Sequence, residues 1–393
     1  MSVLTINGGS SSIKFALFDH LEPPLRALSG EVERIGQEGG AISAKGSRGP
    51  MAKDEPFAAR DLEEAGRRLV DWLSERADFG AVAGVGHRIV HGGPRYSAAR
   101  VVTPEVIEEL GRIAPLDPAH LPGEIALLRA FIDRVRGVPH VACFDTAFHH
   151  DLPRVAQLLP VPRRYQAAGV RRYGFHGLSY TYLVGELGRI AGPEVARGRL
   201  VLAHLGSGAS MAAVREGKCV DTTMAFTPTA GLVMGTRSGD LDPGFLVHLV
   251  RSEGLTADQL DDLVNRRSGL LGVSGSSADM KQLLDREASD PHAADAVALF
   301  CHAARKHAAA MAASAGGVDT LVFAGGIGER SAPIRARICD GLAHLGIRID
   351  QARNAAAAPI ISPDGAPATV RVIPTDEELV IARETLAVGR AGG

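Results

Sequence analysis

A basic excess is absent, and so is any long apolar run. Lys and Arg number 43 against 45 Asp and Glu, a net charge of −2, so no bulk positive field exists to draw in nucleic acid or an anionic membrane surface. No apolar stretch reaches the ~18 residues of a membrane helix. The opening, MSVLTINGGSSS, lacks the basic start and apolar core of a signal peptide. Cysteine is scarce: Cys143, Cys219, Cys301 and Cys339 lie far apart and form no CxxC pair. That excludes a zinc ribbon and a disulfide framework, and makes reduced thiols of a cytoplasmic protein the expectation. The chain also has no GxxxxGK[ST] loop, no GxGxxG opening a helix, and no serine or cysteine nucleophile elbow. Neither nucleic acid nor membrane is expected as a partner.

What is present suits a globular α/β protein. Its 393 residues exceed one simple core and suggest about two domains. VLTINGGSSSIKFALFD reads as a strand, a small-residue turn and a second strand. Residues 20–60 read as a looser, charge-rich stretch. Residues 61–76 read as a helix, with Asp61 and Glu64 as a capping box and Leu62, Ala65, Leu69 and Trp72 on one face. Residues 82–90 and 138–144 read as buried strands. Between them Thr103-Pro104 starts one helix, and 123–136 forms another. A second strand–turn–strand spans 200–215. Aligning Gly206 on Gly8 places Val201 on Val3, Leu202 on Leu4 and Ser210 on Ser12, a weak internal repeat. A strand at 318–323 runs into AGGIGER. Another at 370–373 meets a helix start with Thr375 as N-cap and Glu378 three residues on. Two halves, each opening on a strand and a Gly/Ser turn, suggest a duplicated α/β architecture with a cleft between.

NGGSSS, HLGSGAS and AGGIGE each follow a strand. Each alone is a tight turn; three at strand ends offer backbone N–H groups to an anion. Lys14 sits six residues beyond Gly8, placed either to reach a phosphate or to be a solvated strand lysine. Ionisable groups cluster at strand ends: Arg88 between two histidines in GHRIVHGG, Asp145 after VPHVACF, Arg171, Arg172 and His176 in RRYGFHG, and Arg237 in MGTRSGDLDPG. Each alone can be structural. Together, arginines and phosphate turns without a nucleophile fit phosphoryl transfer, where catalysis is positioning and charge stabilisation.

The blocks NGGSSSIKF, GHRIVHGG, FDTAFHHDLP, RRYGFHG, HLGSGAS, DTTMAFTPTAGLVMGTRSGDLDPG, GGIGERS and PTDEELVIARET, in this order, resemble the acetate kinase family. The resemblance implies a duplicated two-lobed actin-like ATPase fold, ribonuclease H-like, with a central nucleotide cleft. The N-terminal lobe would be 1–148 plus 376–393 and the C-terminal lobe 149–375. The implied reaction is reversible transfer of the γ-phosphoryl of ATP to acetate, giving acetyl phosphate and ADP, with Mg²⁺ or alternatively Mn²⁺. A propionate or other short-chain carboxylate kinase is the alternative, ahead of a non-catalytic nucleotide-binding protein of the actin type. The resemblance also implies a cytoplasmic homodimer.

Block by block, Asn7 and Glu377 are similar to the family's metal-site residues, and Lys14 to its nucleotide-phosphate lysine. Arg88 and Arg237 resemble the arginines that hold substrate and the transferring phosphoryl, Asp145 the catalytic aspartate and His176 the transition-state histidine. His204, Leu205, Gly206, Ser207 and Gly208 resemble the phosphate loop. Asp279, Met280 and Lys281, with Gly326, Ile327, Gly328, Glu329 and Arg330, resemble the adenosine-binding elements. Since a carboxylate is already anionic near pH 7, Asp145 is expected to orient Arg237 or a metal-bound water rather than act as a base. The chain departs from the family pattern at Ser207 (HLGNG), Arg330 (GIGEN), Leu178 and Tyr180 (YGFHGTSH), and in PLDPAHLPGE where PLAPLHNPPN is usual.

The last departure bears on acyl size. Val90, Phe175 and Pro228 match three walls of the family's methyl pocket, and Ala119 replaces a leucine wall. Each extra methylene limits discrimination to about 10–200-fold. Propionate is therefore expected to be used within about tenfold of acetate, with Ala119→Leu restoring acetate preference. The alternative is that Leu121 refills the space. Comparing kcat/KM for acetate, propionate and butyrate in both proteins decides between them.

Overall fold

In the computed structural model, which describes residues 2–19, 21, 23–47, 49–76 and 82–391, the N-terminal hairpin opens an eight-stranded sheet. Residues 1, 77–81 and 392–393 of the expected first lobe, and 20, 22 and 48 of the charge-rich stretch, lie outside the described residues. The strands are β1 (Ser2–Gly8), β2 (Ile13–Asp19), β3 (Leu25–Glu33), β4 (Ala41–Gly46), β5 (Gly49–Pro56), β6 (Val82–Ile89), β7 (Arg100–Val101) and β8 (His140–Phe144), in the order β5-β4-β3-β2-β1-β6-β8-β7. A second sheet orders its strands β11-β10-β9-β12-β13, from β9 (Leu200–Leu205), β10 (Ala209–Arg215), β11 (Lys218–Thr222), β12 (Thr320–Ala324) and β13 (Thr369–Val372).

The two sheets share one connectivity. β1 pairs antiparallel with β2 and parallel with β6, which pairs parallel with β8. β9 pairs antiparallel with β10 and parallel with β12, which pairs parallel with β13. The weak repeat in sequence is thus a repeat in topology, and this doubled α/β arrangement is that of the two-lobed actin-like ATPases. Parallel strands need both faces covered, so they read as continuous apolar runs. β8 and β12 are buried at every residue.

By contacts, the chain separates into two units. The first comprises Met1–Phe148, Gly177–Tyr182 and Asp376–Gly393, and the second His149–His176 and Leu183–Thr375. In the first, Leu4, Ile6, Phe15, Leu69, Trp72 and Phe131 belong to one apolar cluster. In the second, the helix Pro291–Ala315 buries alanines such as Ala296, Ala304, Ala308 and Ala312.

Several elements differ from their sequence reading. The stretch 20–60 holds β3, β4 and β5 rather than loose chain. These strands carry charges on a solvated face, and β5 buries only Ala52, so the apolar signal is weak. AGGIGER is not a hairpin turn: Gly325–Arg330 is a short helix leaving β12. The C-terminal helix Glu377–Ala391 is capped by Asp376, whose Oδ1 accepts the Leu379 N–H at 3.0 Å; Thr375 instead donates its N–H to Glu329. The box on helix Leu62–Arg76 is half formed. Asp61 accepts from the Glu64 N–H, but the Glu64 carboxylate takes the N–H of Arg60. Among the described residues no helix is long and apolar enough to cross a membrane.

The C-terminal helix lies close on β6 because that strand carries glycine. A Cβ on Gly86 would stand 2.2 Å from Thr385 Oγ1 and 2.5 Å from Ile381 Cγ2. Gly86→Ala is therefore expected to lower unfolding stability by about 1–3 kcal/mol through overpacking. Gly111→Ala, in the helix Pro104–Ile113 with nothing within 4 Å of the new Cβ, should raise it by roughly 0.5–1 kcal/mol. Urea denaturation of the two variants tests the contrast.

Candidate active site

In the first unit the charged residues stand where parallel strands end, the customary position of sites in α/β sheets. Asn7 is the penultimate residue of β1 and Arg88 of β6, and Asp145 follows β8 directly. Arg88 is the hub. Its Nε and Nη2 donate to Asp145 Oδ2 at 3.0 and 2.7 Å, and its Nη1 donates to the Gly8 carbonyl at 2.7 Å and to Glu124 Oε1 at 3.0 Å. The other oxygen of Glu124 accepts the Val90 N–H at 2.8 Å. Asp145 is thus held by Arg88, a partner beyond the Arg237 or metal-bound water that the sequence led one to expect. Burial works against the charge of Arg88, but Asp145 and Glu124 outweigh it and hold the guanidinium protonated. Burial pushes the Glu124 carboxyl up to about 8, with Arg88 and the Val90 N–H opposing. Burial likewise raises Asp145, again against Arg88.

Asn7 donates from Nδ2 to Glu377 Oε2 at 2.9 Å and to Glu378 Oε1 at 3.2 Å. Its amide hydrogens are engaged, which leaves its carbonyl oxygen and the Glu377 carboxylate as hard oxygen donors. Asp145 Oδ1 is buried, and the Leu178 N–H works with Arg88 against the rise that burial imposes on this carboxyl. Among the described residues no group of three or more His, Cys, Asp or Glu is disposed to hold a metal. The all-oxygen pair fits a cation such as Mg²⁺, which keeps most of its waters and takes one or two carboxylates with substrate phosphates. Lys14 lies opposite Asn7 across the hairpin and is exposed. Val90 is buried, Ala119 is exposed in the turn before helix Leu121–Arg134, and Leu121 is fully buried.

In the second unit His176, Arg237 and the loop after β9 come together. His176 has φ 58° and ψ 26°, a left-handed conformation uncommon outside glycine. Its Nδ1 lies 2.8 Å from Ser210 Oγ, and its ring stacks on His204 with centroids 4.4 Å apart. A Cβ on Gly208 would come within 3.3 Å of His176 Nε2 and 3.7 Å of Arg237 Nη1, so glycine is what leaves both groups room there. Arg237 Nη1 donates to the Pro228 carbonyl at 3.3 Å. Leu205 is buried, Gly206 donates its N–H to the Gly208 carbonyl, and Ser207 is exposed. Phe175 is buried, its carbonyl 2.9 Å from His149 Nε2.

The segments expected to bind adenosine mix exposed and structural residues. Gly326, Arg330 and Lys281 are exposed. Asp279 caps its helix by accepting the Gln282 N–H, and Met280 is buried. Glu329 accepts the N–H groups of Gly325 and Thr375. Ile327 is half-buried and Gly328 buried; the Gly328 and Glu329 carbonyls accept from Arg335 Nη1. Arg335 is fully buried and, like Glu124, was missed in the sequence, since neither stands in a glycine-flanked turn. Other suspected site walls are structural. His87 stacks on His140 with Nε2 and Nδ1 2.9 Å apart. Arg172 donates to the carbonyls of Thr222, Thr223 and Met224, and Arg171 donates to Gln157 and lies over Tyr173.

The sequence model of the Acetokinase family matches residues 2–383. The chain is 42% identical to an acetate kinase of Rhodopseudomonas palustris, over 99% of each chain. It is also 42% identical to a propionate kinase of Citrobacter rodentium, over 99% of this chain and 97% of the other. Among solved structures, an acetate kinase of Porphyromonas gingivalis is similar with a TM-score of 0.87 and 35% identity, covering 98% of this chain and 99% of that one.

Burial holds His149 down at about 4, with the Phe175 carbonyl opposing. An unfolded histidine titrates near 6.5. Between pH 6.5 and 4 the unfolded state therefore binds more protons, and stability is lost as pH falls; the raised Glu124 acts in the opposite sense. His149→Gln is expected to lessen the acid loss by at most about 1.4 kcal/mol per pH unit. Urea unfolding of both proteins from pH 7 to 4.5 measures it, and parallel curves would contradict a buried neutral imidazole.

Proposed function

This chain belongs to the acetokinase family, and from that premise we propose that it transfers the γ-phosphoryl of ATP reversibly to acetate, giving acetyl phosphate and ADP. The observation that carries this is the family match over nearly the whole chain, with Arg88 at a strand end of the first unit and His176 and Arg237 beside the loop after β9 in the second. An acetate anion needs no proton removed. The obstacle is repulsion between an anion and a polyanion, which guanidinium groups offset.

On this reading Arg88 meets the substrate carboxylate and Arg237 the transferring phosphoryl. Asp145 orients Arg88, a role its two contacts to that guanidinium support, and no base is required. His176 donates to the phosphoryl oxygens from Nε2, with Ser210 at Nδ1 and His204 beneath the ring. The loop 206–208 and Lys14 receive phosphates; Gly326 to Arg330 and Asp279 to Lys281 receive adenosine. Asn7 and Glu377 would hold Mg²⁺, which supplies neutralisation of phosphate charge when bound. Val90, Ala119, Phe175 and Pro228 face the acyl group. Names of relatives do not decide its size, because an acetate and a propionate kinase match at equal identity. We also read the protein as a cytoplasmic homodimer. Its four cysteines are buried free thiols, and Leu241, Phe245, Val247 and Val250, on and just before helix Pro243–Glu253, are exposed apolar residues suited to a second copy.

Hydroxylamine trapping with ATP, Mg²⁺ and a series of one- to five-carbon acids tests the activity, acetohydroxamate being expected. Arg88→Ala and Arg237→Ala should each lower turnover roughly 10²-fold or more by loss of charge stabilisation. Near-native turnover in both would remove them from the site. Asp145→Asn should cut activity without abolishing an acidic limb of the pH–rate profile.

A further inference from the structure

The hydrogen bonds of Arg88 can be counted donor by donor. A guanidinium has five N–H groups. Asp145 takes one from Nε and one from Nη2; Gly8 and Glu124 take the two on Nη1. One N–H, on Nη2, is left for a ligand, on a side chain that is 14% exposed. Glu124 meanwhile is almost fully buried, and its two oxygens bridge Arg88 and the Val90 N–H. It therefore ties the guanidinium to the backbone of the acyl-wall residue Val90.

We infer that Glu124 is a positioning residue that fixes Arg88 for the incoming carboxylate and, by offsetting its charge, sets how tightly that carboxylate is held. This rests on the carboxylate-kinase reading. With Glu124 ionised, Arg88, Asp145 and Glu124 carry a formal charge of −1 and repel an anion; with Glu124 protonated they carry none. The groups acting on this carboxyl are Arg88 from β6, Asp145 beyond β8 and Asp117 from the turn before its own helix, the last bonded to His120. Glu377 of the C-terminal helix acts on Arg88. Burial places the change near pH 8, where acetate itself is already ionised. Affinity for acetate is thus present below that pH and declines above it.

The test is the KM for acetate and for ATP, with kcat, from pH 6.5 to 9.5 in the wild type, Glu124→Gln and Glu124→Asn. In the wild type the acetate KM should rise about tenfold across pH 8, a like-charge effect at close range, while kcat and the ATP KM change less than twofold. Both variants should lose the rise, and at pH 9 Glu124→Gln should show a lower acetate KM than the wild type. A flat wild-type KM overturns the inference, as does a rise that persists in the variants. If Glu124→Gln does not fold, the wild-type profile and Glu124→Asn still decide. No acyl hydroxamate with any acid at pH 7 would sink the carboxylate-kinase reading and this inference together; turnover with a pH-flat acetate KM sinks this inference alone.

Discussion

A buried cation must be paired on every side that water would otherwise occupy, and Arg88 meets that demand by gathering the first unit around itself. Its partners come from the end of β1, the residue after β8 and the helix Leu121–Arg134. Removing one partner from such a group strands the others in low dielectric, a loss of several kcal/mol in measured cases (about 3–5). The same contacts that stabilise the strand ends also aim the guanidinium. Stability and the proposed chemistry therefore draw on one set of hydrogen bonds, and Asp145 is a structural anchor for Arg88.

The second unit reaches order by a different route. There, close approach matters more than charge pairing. Gly208 leaves room for His176 and Arg237, and Gly325, at φ 75°, sits where a Cβ would meet the Leu205 backbone within 3 Å. The strained backbone of His176 is held in place by the Ser210 contact and the stack on His204. Fully buried Arg335 braces the helix Gly325–Arg330 from behind through backbone carbonyls. Small residues allow the close approach, and polar side chains behind them hold the loop ends in place.

Both units solve one topological problem twice. A central strand leads into a glycine turn and returns antiparallel, while a parallel neighbour ends beside it. Backbone N–H groups and charged side chains are thereby concentrated at the carboxyl ends of strands. Similar turns in the two halves acquire different company. In the first unit acidic groups and Arg88 surround the strand ends, and in the second histidines and Arg237 do.

Local signals sufficed for much of the fold. Continuous apolar runs marked β1, β6, β8, β9 and β12, because strands covered on both faces cannot hide their composition. The repeat of Gly8 at Gly206 marked the duplicated connectivity, and motif blocks marked the family. Local signals failed where burial is decided by distant chain. β3 to β5 carry charges on a solvated face, so only pairing reveals them as strands. His87, Arg171 and Arg172 looked like site walls, yet they meet an imidazole, a side-chain amide and backbone carbonyls remote in sequence. Glu124 and Arg335 carry no local signal, yet they are buried at the hubs of their networks. A side chain's neighbours from other segments, rather than its own flanking residues, determine whether it is solvated, paired or aimed at a substrate. Composition and spacing named the chemistry; only the tertiary structure assigned its partners.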